Sequence, residues 1–211
     1  AFYMAPLYPY FLSVLYAISS GNLLFISCIQ LFLDIVTCYL IYYIGTKIYD
    51  ERAGIIAAFL ACFYRTSIVY AATILSDSLI YFLYIFFLAL VYFALQKPSF
   101  TRWITAGIIL GLSALAKPTI AVYLPFLLIG LYLYPTRVIL PGKIKQHLQP
   151  IVILILLLLV SGLVILPVTI RNFFVSGRFV PICTNGPINW RIGNSSDSIG
   201  LFSFGPNASP N

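Results

Sequence analysis

Asp77 stands in Leu75-Ser76-Asp77-Ser78, directly ahead of a long apolar run. Lys117 stands in Ala116-Lys117-Pro118-Thr119, at a break between two other apolar runs. Ionisable side chains among so many apolar residues are costly to keep, so each is a candidate for function. A carboxylate at position 77 can orient or deprotonate a hydroxyl. It could also hold a divalent cation, the one cofactor the sequence brings into view. The same residues suit a plainer task, since Ser76 or Asp77 would cap the following helix and complement its dipole. The two roles are compatible.

Lys117 beside the free N–H groups of a new helix is suited to a phosphate. Arg171, in Pro167-Val168-Thr169-Ile170-Arg171-Asn172, follows an aliphatic run and could serve the same end. Arg65 interrupts another apolar stretch and reads first as a cation snorkelling to lipid headgroups. Asp34, in Gln30-Leu31-Phe32-Leu33-Asp34, reads first as an interhelical hydrogen bond, with a substrate or proton contact as the alternative. Several cations grouped with one acid argue for an anionic lipid ligand. Cys28, Cys38 and Cys62 lie in apolar runs, Cys183 stands alone, and His147 sits in a basic loop. No metal-ligand spacing is readable.

The elements that must carry these residues follow from composition. Apolar residues are 62% of the 211 and charged residues only 8%, against roughly a quarter charged in soluble domains. A soluble fold could not bury that much apolar surface, so the chain is expected to be an integral, multi-pass membrane protein. The net charge of +7 arises from 12 Lys+Arg against 5 Asp+Glu. Those cations sit in short loops between apolar runs, which argues for membrane topology and against nucleic acid.

The pattern predicts an all-α, polytopic transmembrane helical bundle. Residues 1–22 form an interfacial segment on the outer face, broken by Pro6 and Pro9 and too short to span. Residues 23–170 form the bundle, with six membrane segments at 23–43, 53–75, 79–95, 103–116, 120–134 and 151–170. Pro118 forces a turn at Lys117, and Pro167 bends the end of the last span. Residues 171–211 form an outer-face loop region, truncated. The opening Ala1 and the closing Gly/Pro/Asn/Ser stretch suggest an internal fragment of a longer protein.

Alternating sides place Lys47, Arg52, Lys97, Arg102, Arg137, Lys143 and Lys145 on one face. Arg65, Lys117, Arg171, Arg178 and Arg191 fall on the other. The first group occupies three short loops, which marks its side as cytoplasmic. Asp77 and Lys117 are then expected on the non-cytoplasmic face.

In this order and spacing the segments resemble the GT-C membrane glycosyltransferases of the dolichyl-phosphate-mannose–protein mannosyltransferase type, including bacterial relatives that use polyprenyl-phosphate sugars. The resemblance runs over nearly the whole chain. It rests on Pro6-Leu7-Tyr8-Pro9, on Gln30 to Asp34, on the loop GTKIYDERAG at 45–54 and on Leu75-Ser76-Asp77. It continues through Gly111-Leu112-Ser113-Ala114-Leu115-Ala116-Lys117-Pro118-Thr119, Pro167 to Asn172, Gly177-Arg178-Phe179-Val180-Pro181, Asn185-Gly186 and Ile192-Gly193-Asn194. Tyr64-Arg65 stands where the family often has Ser-Pro.

The resemblance implies a polyprenyl-phosphate sugar donor and an inverting transfer to a lipid, glycan or protein acceptor. It also implies a principal catalytic acid in a first outer loop, which would precede Ala1. Asp77 then remains as the second outer acid and the catalytic candidate, with Lys117, Arg171 and Arg65 as donor-phosphate contacts. The family shares its scaffold among mannosyl, aminoarabinosyl, galacturonosyl and other transfers. If the source is prokaryotic, the setting would be the cell membrane. The alternative reading is a transporter or flippase for a lipid-linked or amphiphilic substrate, whose usual mark, an internal repeat, is not evident.

Overall fold

A computed structural model of the chain describes residues 2–63, 74–97, 99–133 and 146–194. Among these residues the regular structure is helical. The helices are α1 (Leu7–Ile18), α2 (Leu23–Ile48), α3 (Glu51–Cys62), α4 (Asp77–Gln96), α5 (Phe100–Ala116), α6 (Tyr123–Leu133), α7 (Gln149–Ser176) and α8 (Asn185–Gly193). Short 3-10 turns, Pro118–Val122 and Gln146–Leu148, precede α6 and α7. Helices α2, α4 and α7 are long and apolar enough to cross a membrane, with mean hydropathies of 2.1, 2.3 and 3.3. The expected stretches 23–43, 79–95, 103–116, 120–134 and 151–170 carry helices, and α3 covers the start of 53–75, of which residues 64–73 lie outside the described residues.

Local chemistry sets the ends of these elements. Gly21 takes φ +85°, a left-handed turn that an L side chain resists. The Asn22 side chain then accepts from the N–H groups of Leu24 and Phe25 at 3.0 and 3.4 Å, which starts α2. Asp50 caps α3 by accepting from Ala53 N at 2.7 Å. α5 stops at Ala116, Lys117 is extended, and Pro118 opens the 3-10 turn, as the sequence predicts.

α7 differs from expectation, running through Pro167 and past residue 170 to Ser176. Proline removes one helical hydrogen bond, but the following turns gain others. Thr169 Oγ1 donates to the Pro181 carbonyl at 2.8 Å. The Asn172 amide, 1% exposed, donates to the Val180 and Ile182 carbonyls, each at 3.1 Å. Gly177, at φ +66°, ends the helix.

α2 and α4 run parallel. Ser78 Oγ at the start of α4 donates to Asp34 Oδ2 near the middle of α2 at 3.1 Å, and the Tyr43 and Phe93 rings lie 5.6 Å apart toward their ends. α3 packs against the end of α2 through two glycines: a Cβ on Gly45 would come within 2.9 Å of Gly54 Cα. α5 returns antiparallel to α4 and presses Gly107 and Gly111 against Val160 and Val164 of α7. Phe87, Trp103, Leu110, Ile153 and Leu157 fill the core between α4, α5 and α7. α4 is the central helix, with 44% of its most apolar window buried, against 17% for α2 and α7. The outward faces of α2 and α7 carry exposed Phe32, Ile35, Leu159 and Leu163. Such faces suit lipid and not water.

Candidate active site

A cavity of about 850 Å³ opens at the end of the bundle where α4 begins and α5 stops. The one-turn helix break at Lys117-Pro118 brings Ala116, Lys117 and Pro118 to one wall. Leu75, Ser76 and Asp77, at the start of α4, form another. Tyr8, Leu12 and Tyr16 of α1 close a third side, with Tyr3 and Met4 ahead of them and Asn185 from α8. The walls are mainly apolar and aromatic, with few polar groups converging on one space. That is the general character of a small-molecule site.

Buried hydrogen bonds fix these groups. Gln30 of α2 is fully buried, and its Nε2 donates to the Leu75 carbonyl at 2.7 Å and to the Tyr8 hydroxyl at 3.1 Å. One side chain thus joins α1 to the segment that carries Asp77. One turn further along α2, Asp34 accepts from Ser78, the residue after Asp77. On the other wall, the Tyr84 hydroxyl donates to the Lys117 carbonyl at 3.0 Å and lies 3.0 Å from Thr119 Oγ1. α1 seats Leu7, Tyr8 and Phe11 on Leu79, Ile80, Leu83 and Ala116.

Electrostatics follow this geometry. Burial pushes the Tyr8 phenol above its ordinary value; the Gln30 hydrogen bond opposes that rise and the charge of Asp77 adds to it. Tyr8 is therefore a neutral hydroxyl throughout the physiological range. Asp77 is half-buried and Lys117 exposed, both on the wall of one cavity.

Arg171 does not line that cavity. Its guanidinium lies 5.9 Å from the centroid of the Phe2 ring and donates weakly to Asn172 Oδ1 at 3.4 Å. Phe2 neighbours Tyr3, so Arg171 sits at the margin of the site. The Phe2 carbonyl also accepts from Thr184 N at 2.8 Å, which ties the segment after α7 to the cavity. Arg65 lies outside the described residues, as do Arg137, Lys143 and Lys145.

The cavity admits one proton acceptor and one cation, but the described residues do not fit a metal. No three His, Cys, Asp or Glu side chains cluster among them, and Asp77 is the one carboxylate they place on the wall. Sequence reasoning gave no role to Tyr8, Tyr16, Asn185 or Gln30. Gln30 carried a usable signal, being a polar residue inside an apolar run.

A family model described as dolichyl-phosphate-mannose-protein mannosyltransferase matches residues 4–165. No curated protein and no solved structure matches the chain. The matched stretch takes in α1, Gln30, Asp77 and Lys117, and stops before Arg171 and Asn185.

Proposed function

We propose that this chain, which belongs to the dolichyl-phosphate-mannose–protein mannosyltransferase family, moves a sugar from a polyprenyl-phosphate donor to an acceptor hydroxyl at the Asp77 end of its bundle. It is an integral membrane glycosyltransferase by family and by its apolar helices. The observation that carries the finer reading is that Asp77 and Lys117 share one cavity, beside a helix too short to span. That cavity opens where an isoprenoid chain could enter sideways from lipid while a hydroxyl arrives from water.

The chemistry balances without a further reagent. The bond between the sugar's anomeric carbon and the donor phosphate breaks, and its electron pair stays on the phosphate oxygen. Lys117 stabilises the charge that gathers there. The acceptor oxygen bonds to the opposite face of the anomeric carbon, so the configuration inverts. Its proton passes to a carboxylate, the role assigned to Asp77. The apolar walls exclude water and favour transfer over hydrolysis. The acceptor is a lipid, glycan or protein on the non-cytoplasmic face, and the chain crosses the membrane several times.

The test uses the full-length protein in liposomes with a polyprenyl-phosphate sugar. Lipid phosphate should be released as a glycoside of inverted configuration forms. Asp77→Asn should lower kcat by roughly 10²-fold, the usual contribution of a positioned base, and leave lipid binding in place. Movement of the lipid across the bilayer with its glycosidic bond intact would instead overturn the proposal in favour of a transporter.

A further inference from the structure

A second cavity, of about 590 Å³, lies at the far end of α4. The 20 residues of α4 separate it from the first by about 30 Å at 1.5 Å per residue. That is close to the thickness of the hydrocarbon core. Lys47 from the end of α2, Lys97 just after α4 and Arg102 from the start of α5 converge on it. Among the described residues no carboxylate lines it. The acids nearest in sequence are committed or displaced: Asp50 caps α3 and Glu51 lies in the first turn of that helix.

We propose that this cavity binds a phosphate group, carried as the headgroup of an anionic membrane lipid. Cations in loops satisfy the topology rule wherever they sit. Three of them around one concavity repel one another, and an anion between them removes that cost. The Arg102 side chain is held in place, since Nη1 donates to the Phe93 and Lys97 carbonyls at 3.0 and 2.8 Å. Lys47 lies over the Tyr43 ring at 5.6 Å, and Tyr92 and Gln96 complete a polar rim. Tyrosines and basic groups at the ends of membrane-length helices suit a headgroup with its tails in the bilayer. The cavity shares no lining residue with the Asp77 site, so the proposal stands whether or not the chain transfers sugar.

Native mass spectrometry of the full-length protein, titrated with phosphatidylglycerol or phosphatidylcholine, tests this. One phosphatidylglycerol should be retained at least tenfold more tightly than phosphatidylcholine. Lys47→Gln with Lys97→Gln should erase that preference, and Lys47→Arg with Lys97→Arg should restore it. Should the glutamine variants not fold, added salt on the unmodified protein should release phosphatidylglycerol selectively. Competition by millimolar inorganic phosphate that displaces the lipid completely would assign the site to free phosphate and overturn the lipid seat. Equal retention by the glutamine and unmodified proteins would overturn the site itself.

Discussion

At the scale of single residues, Lys117 and Asp77 divide the proposed reaction by charge, and that division predicts different kinetic signatures. A cation that meets the donor phosphate before and during bond breaking contributes to binding as well as to the barrier. Lys117→Ala should therefore raise KM for the lipid by about tenfold or more, the usual weight of one charge-assisted contact. Lys117→Arg should recover part of that loss; steady-state kinetics with varied donor check both, and an unchanged KM removes the assignment. Gln30 makes a separate prediction about stability. Gln30→Leu removes the hydrogen bonds that the Leu75 carbonyl and the Tyr8 hydroxyl accept and should cost about 1–3 kcal/mol, read as a fall in Tm. Asp77 and Lys117 were legible in the sequence because a charge among apolar residues needs a reason to be there. Tyr8 and Tyr16 were not, because the chain holds 16 tyrosines and the type alone singles out none. Gln30 stood out as polar, but its partners lie 22 and 45 residues away, beyond the reach of any local pattern.

At the scale of elements, the joint between α5 and α7 depends on the absence of two side chains. A Cβ at Gly111 would lie 2.7 Å from Val164 Cβ and 3.0 Å from the Ser161 carbonyl; one at Gly107 would lie 2.8 Å from Val160 Cβ. The four-residue spacing puts both glycines on one helix face, the small-residue seam that lets membrane helices approach closely. Gly111→Ala should therefore destabilise the protein by about 1–3 kcal/mol, the range for overpacking. Gly162→Ala, in α7 with nothing within 4 Å of its Cβ, should be neutral or mildly stabilising. Paired Tm measurements in one detergent check the contrast, and equal shifts would refute the seam. The helices themselves were readable from apolar run length, and the Lys117 break from Pro118. The parallel course of α2 and α4 was readable too, since alternating sides put Lys47 and Lys97 together; their direct packing was not, because Ser78 and Asp34 meet across 44 residues. Nor was the extension of α7 to Ser176, which rests on hydrogen bonds from Thr169 and Asn172 to residues 180–182.

At the scale of the whole molecule, α4 acts as a ruler with unlike chemistry at its two ends. Asp77 and Lys117 share the cavity at its start, while Lys47, Lys97 and Arg102 surround the one at its finish. This sorting of side chains has the two groups that alternating sides would separate, and the proposed function takes the denser group of cations as the cytoplasmic one. In a cysteine-free background, Lys97→Cys should react with a membrane-impermeant maleimide only after the cytoplasmic side is opened, and Lys117→Cys in intact cells. Native Cys183, which donates to Asn185 Oδ1 on the cavity wall, supplies an independent reporter. Burial pushes its thiol above the ordinary value, so little of it is thiolate at neutral pH. Its labelling from the outside should accordingly keep accelerating at alkaline pH where that of an exposed cysteine has levelled off. If positions 97 and 117 reacted from the same side, α4 could not cross the bilayer and both cavities would lose their membrane setting. If they reacted from opposite sides in the reversed sense, the cavity would keep its geometry but would draw donor and acceptor from the cytoplasm, and the proposed sidedness of the transfer would be overturned.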